Sequence, residues 1–217
     1  MEKKIDPKKK SSKKETIEAY HHGDLKKAII LKSEEILEKK GIEGLSLRDI
    51  AADLGVSHAA PYRHFPRKID LLFTLAARGF SDLADEMRLA WESSDDPIVR
   101  LRSAGRRYVL LALKHPRRTE LMFGGALNCE EEAPQELEQI GREAFMGLFR
   151  ILEDGQQKSL FKSEDTYGLS FTVWSLVHGF AVLTNGRQIP QAIIEERTLE
   201  KIIDSTLNSI LNGVVRS

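Results

Sequence analysis

The twenty residues SLRDIAADLGVSHAAPYRHF, from Ser46 to Phe65, constrain the fold more than any other stretch. Ser46 is a helix-cap candidate, because its hydroxyl can accept from an orphan N–H of the first turn. The short helix it opens turns Leu47, Ile50, Ala51 and Leu54 inward and stops at Gly55, where a tight turn needs a residue that tolerates positive φ. Ser57 can cap another helix two residues later, and Pro66 stops that one. Leu47, Ile50, Leu54 and Val56 form an apolar wedge that Tyr62 and Phe65 can cover, and Ala51 lets the two helices cross closely. The second helix begins with Ser57, His58, Ala59 and Ala60, a slim, polar end that fits a major groove about 12 Å wide. Pro61 falls in its first turn, where few backbone bonds are expected to be lost.

The rest of the chain has helical periodicity almost throughout and no convincing period-2 alternation. A helix from about Asp24 to Gly41 precedes the wedge. A long one follows from Lys68 to Trp91, with Leu72, Leu75, Ala76, Phe80, Leu83, Met87 and Trp91 on one face. Others are expected at 97–114, 116–124, 135–157, 165–185 and 195–212, about nine in all. The fold class is all-α, with an N-terminal three-helix unit and a C-terminal helical domain. The expected divisions are a basic, mobile arm at 1–22, a first domain at 23–83 and a second at 84–217.

Apolar residues make up 41 % of the 217, enough to build a core in each domain. No run of eighteen or more uncharged apolar residues stands out, so no membrane-spanning helix is expected. The charged N-terminus lacks the apolar stretch of a secretory signal. The single cysteine, Cys129, suits a reducing cytoplasm, and Glu130, Glu131 and Glu132 beside it oppose thiolate formation. The net charge of zero hides an asymmetry. Residues 1–70 carry 16 Lys/Arg against 12 Asp/Glu, whereas 71–217 carry 17 against 21. Seven lysines precede Glu15, so the front of the chain suits a polyanion, or is simply a solvated tail.

A helix ending at glycine, then S-x-R-D-I-A-x-x-L-G-V-S, Y-x-H-F and K-x-x-L-L, here Ser46–Ser57, Tyr62–Phe65 and Lys68 to Leu72, resembles the DNA-binding domain of the TetR family of bacterial regulators. In the rear half, WSLVHGFAVL with Trp174, His178 and Gly179 is similar to the WHG motif of one C-terminal subgroup. The resemblance implies a two-fold homodimer, a palindromic operator in double-stranded DNA, and a C-terminal domain that binds a small-molecule effector. It implies no cofactor and a cytoplasmic protein.

The expected DNA-contacting residues are Ser46, Leu47, Arg48, Ser57, His58, Ala59, Ala60, Tyr62, Arg63, His64 and Lys68. Arg63 can read guanine bidentately or hold a phosphate. His58 can reach a base or a phosphate, and Ala59 a thymine methyl. Tyr62, His64 and Lys68 match family positions that contact phosphates, and the positive end of the helix at Ser46–Arg48 attracts another. His21 and His22 share no helical face, so no metal site is expected there.

The helix at 165–185 is apolar nearly all round, as a helix buried on several sides must be. With the last helix it would form a four-helix bundle with a second subunit, as the family implies. The expected interface is Trp174, Val177, His178, Gly179, Ala181, Ile203, Leu207 and Ile210, with Gly179 marking a close helix approach. Candidate pocket residues are Trp91, Tyr108, Leu111, Met122, Phe123, Phe145, Phe149 and Phe171, with Trp174 also eligible, although a plain core would contain the same residues. Arg100, Arg102, Arg106 and Arg107 are read as a solvated face that could also attract an anion. No nucleophile constellation, metal spacing or phosphate loop suggests an enzyme. The reading is a regulator, a repressor released by its effector, with an activator or a DNA-bound cell-division regulator on the same fold as alternatives. A helical enzyme or carrier would leave the 46–65 match unexplained.

Overall fold

The computed structural model describes residues 22–127, 133–190, 192–193 and 198–216. The lysine arm and Cys129 lie outside them. The described residues form α1 (His22–Lys40), α2 (Leu47–Asp53), α3 (Lys68–Glu92), α4 (Pro97–Lys114), α5 (Pro116–Phe123), α6 (Gln135–Gln157), α7 (Thr166–Asn185) and α8 (Leu199–Val214). Local chemistry sets most boundaries. The Ser46 hydroxyl accepts from the Asp49 N–H at 3.3 Å and caps α2. Asp96 and Asp165 cap α4 and α7 in the same way. Pro97 and Pro116 open α4 and α5, where no N–H is needed.

One expected helix takes another form, so the described residues hold eight α-helices rather than about nine. Ser57 opens no α-helix: residues 58–60 form a turn and Pro61–Arg63 a single 3-10 turn. The cause is Pro61. In an α-helix from Ser57, residue 61 would donate its N–H to the Ser57 carbonyl, and proline has none. Ala60 takes that carbonyl instead at 2.9 Å, and Arg63 and His64 continue the three-residue spacing.

The helices enclose two cores. In the first, or head, Leu25, Ile29 and Leu37 of α1 meet Leu47 and Ile50 of α2, Phe65, and Leu71 to Ala76 of α3. The second, or body, core begins at Leu83 and gathers the inner faces of α3, α4, α6, α7 and α8. The division falls within α3, where Phe80 packs against both. Two residues from later in the chain, Leu121 of α5 and Leu137 of α6, are buried in the head core. At about 1.5–3 kcal/mol for each large side chain buried, they tie body to head.

α7 is the most apolar of the described helices. Its twenty residues include no Asp, Glu, Lys or Arg, and an 18-residue window of them has a mean hydropathy of 1.2, so by length and composition alone it could cross a membrane. Here its inner face, Leu169, Ser170, Val173, Val177 and Ala181, is buried in the body core. Its outer face is the apolar surface discussed below.

Candidate DNA-binding surface and ligand cavity

Gly55 adopts φ +67°, so the turn after α2 closes as the sequence requires, and the Val56 N–H bonds the Ala51 carbonyl at 3.0 Å. This presents Ser57, His58, Ala59, Tyr62 and Arg63 as exposed residues, with Ser46, Ala60 and His64 half-buried. Arg48 is exposed too. Phe65 covers the wedge, whereas Tyr62 turns half its surface outward.

Two expected contact residues have other primary roles. Leu47 is only 5 % exposed and belongs to the head core, so its side chain cannot meet DNA and only its backbone faces the helix end. The Lys68 ammonium donates to the Ile42 carbonyl at 2.8 Å, bracing the start of α3 against the turn after α1.

In the body, a cavity of about 370 Å³ lies among α3, α4, α5, α6 and α7. Tyr108, Phe123, Phe145 and Phe171 line it as expected, together with Trp174. Four other expected residues do not. Trp91 carries the Arg100 guanidinium on its ring at 3.9 Å, Phe149 packs against Tyr167 at 4.7 Å, and Leu111 and Met122 face a crevice between α4 and α5. Sequence reasoning missed Phe80, Met87 and Gly105. At Gly105 a Cβ would come within 2.5 Å of Leu207, so α4 and α8 pack this closely only with glycine there.

Among the described residues, the one hydroxyl in the cavity wall belongs to Tyr108, 2.7 Å from His178 Nδ1. Burial pushes the Tyr108 phenol up to about 12, with an indole hydrogen bond from Trp174 opposing it, and pushes His178 below its ordinary value. Both groups are therefore neutral near pH 7. His178 thus has a hydrogen-bond partner within its own chain and is half-buried.

The expected interface needs a correction. Val177, Ala181, Ile203, Leu207 and Ile210 are all buried in the chain's own core. A Cβ added at Gly179 would meet nothing within 4 Å, so among the described residues no other element packs closely on that point. The outward residues of α7 are Tyr167, Phe171, Leu176, Val182 and Leu183, each about half exposed. Beside them α8 turns out Ser205, Asn208, Ser209 and Asn212.

Three of the four arginines of α4 make intrachain ion pairs rather than a solvated face, while Arg102 is exposed. Arg100 is buried and bonds Asp154 at 3.0 Å, Asp95, and the carbonyls of Trp91 and Ser94. Arg106 pairs with Asp204 and Glu200, and Arg107 with Glu86.

Helix α5 touches both sites. At its start, Glu38 of α1 accepts from the N–H groups of Arg117 and Arg118, and Arg118 pairs with Asp82 at 2.8 Å. A carboxylate at a helix N-terminus is favourably placed. At its end, Phe123 lines the cavity and meets Phe80, Trp174 and His178 at ring distances of 5.1 to 5.5 Å.

Residues 29–75 match the model of bacterial regulatory proteins of the tetR family, and residues 101–206 match the tetracyclin repressor-like C-terminal domain. The chain belongs to the TetR family. Among solved structures it resembles a protein of unknown function from Rhodococcus sp. RHA1, 28 % identical, with a TM-score of 0.79 over 92 % of this chain and all of the other. AibR, solved with isovaleryl coenzyme A and operator DNA, shares the fold at 20 % identity, with a TM-score of 0.59 over 72 % of this chain and 85 % of the other. A curated relative, the nucleoid occlusion factor SlmA of Vibrio cholerae, is 27 % identical over 64 % of this chain and 68 % of its own. The chain spans about half the length of most curated relatives it matches.

Proposed function

We propose that this TetR-family regulator is a cytoplasmic, non-enzymatic repressor that binds a palindromic operator as a homodimer and leaves it when an effector fills the body cavity. The observation that carries this reading is the double attachment of α5, whose Phe123 lines the cavity while its first turn is held by Glu38 of α1. A ligand displacing Phe123 would shift α5 against the head. It would change the spacing of two recognition segments only in proportion to its preference for one state.

Ser57, His58, Ala59 and Arg63 would meet the major groove, with Arg48, Tyr62, His64 and the lysine arm on phosphates. The half-exposed apolar residues of α7 support a second copy as its partner, with the small polar residues of α8 allowing close approach. The likeness to SlmA favours a second reading, a DNA-bound regulator of cell division. Genome-wide mapping of bound sites separates the two. The repressor reading expects a few palindromic sites over promoters whose transcription rises when the gene is deleted. Many scattered sites with unchanged transcription would overturn it.

A further inference from the structure

We infer that the body cavity takes an uncharged, largely apolar ring compound bearing a single hydroxyl, which pairs with the Tyr108–His178 dyad. This rests on the effector reading above and narrows it to a ligand class. Among the described residues, no acidic or basic side chain lines the cavity. Arg100, Arg106 and Arg107 of α4 are already committed, to Asp154, to Asp204 and Glu200, and to Glu86, and the exposed Arg102 does not line the cavity. A carboxylate ligand would therefore shed its water and gain no counter-charge, which is prohibitive in an apolar enclosure. A cationic ligand would find aromatic faces but no carboxylate in the lining.

The walls favour a flat molecule. Phe80, Phe123, Phe145, Phe171 and Trp174 supply rings at varied tilts, and 370 Å³ lies at the small end of ligand cavities. Phe171, half exposed, stands at the rim. The hydroxyl follows from the dyad. If His178 Nδ1 accepts from Tyr108, the phenol oxygen is left to accept. If Nδ1 carries the proton, the phenol O–H is free to donate. A ligand hydroxyl matches either tautomer, since it both donates and accepts.

Equilibrium dialysis of the full chain at pH 7.5 against 2-naphthol, naphthalene, 2-naphthoate and 2-naphthyltrimethylammonium tests this. 2-Naphthol should bind about 3–10-fold tighter than naphthalene, the range of one net hydrogen bond. It should bind at least about 100-fold tighter than the carboxylate. Tyr108→Phe should bring 2-naphthol to the level of naphthalene and leave naphthalene unchanged. Ala144→Leu, which fills the cavity, should weaken both neutral probes while thermal unfolding stays cooperative. Equal or tighter binding of either charged probe would overturn the ligand class and leave the cavity a binding site. A naphthol preference that survives Tyr108→Phe would overturn the role of the dyad. Failure of every probe to bind would count against the effector reading itself.

Discussion

The head and body cores draw on the same apolar residue types and finish differently. In the head, Ile29, Leu37, Ile50, Leu71, Leu75 and Leu121 have no exposed surface, and Phe65 seals the wedge between α2 and α3. In the body, Phe145, Phe171 and Trp174 remain partly exposed around a cavity, and their rings touch at several angles without filling it. A reader of DNA must hold its exposed side chains in one geometry, and a filled core does that. A sensor needs space with adaptable walls. On the proposed reading, the difference divides labour between the two halves of α3.

The sharpest way to break this comparison is to truncate one aromatic in each core. Phe65→Ala should destabilise the protein by about 3–5 kcal/mol, the usual cost of emptying a sealed site. Phe145→Ala, half-buried beside an existing void, should cost below about 2 kcal/mol. Denaturant unfolding at constant slope measures both. Equal losses would mean that the body is as tightly specified as the head.

The outer face of α7 extends the comparison, since it is the apolar surface the body leaves uncovered. Leu176→Glu should halve the mass seen by light scattering while helix content is retained, because a charge buried in a subunit interface is costly. Val177→Glu, one residue away but facing the core, should unfold the body instead. Identical behaviour of the two variants would remove the distinction between inner and outer faces.

These neighbours also show where the sequence stops being legible. Ser46 and Gly55 were readable because caps and turns are local chemistry. The turn at Ser57–Arg63 was misread because a single missing N–H at Pro61 decides between α and 3-10 spacing. The inward face of α7 was unreadable for a different reason. When nearly every position is apolar, periodicity carries no phase, so Val177 and Leu176 look alike. The cavity was half legible: aromatic residues are visible in the sequence, but a filled core and a hollow one have the same composition.

On the head, Arg63→Ala should lose about 1–3 kcal/mol of discrimination at one base-pair position, if its guanidinium reads guanine. Lys68→Ala should act mainly on head stability, because its ammonium is held by the Ile42 carbonyl. A library of operator variants separates these effects. An unchanged preference at every position for Arg63→Ala would make it a phosphate contact.

The smallest expected effect is a pH dependence set in the body and at its junction with the head. Burial lowers His178 from its ordinary 6.5 in the folded chain, whereas the unfolded chain takes up the proton near 6.5. As pH falls through 6.5 the unfolded state therefore binds more protons than the native one, and stability declines. The decline levels off once the native His178 is also protonated, which removes the Nδ1 acceptor facing Tyr108. His115, at the start of α5, shifts in the same direction through burial and then Arg118, so it must be separated. Tyr108 sets the opposite edge. Its phenol is pushed up to about 12, so stability should also fall as pH rises through 10, where the unfolded phenol ionises first. Denaturation midpoints across this range should show both edges in the native sequence. His178→Gln should shrink the acidic edge, leaving the part that belongs to His115, and Tyr108→Phe should remove the alkaline contribution. An acidic edge untouched by His178→Gln would assign the whole of it to His115 and the junction between α5 and the head.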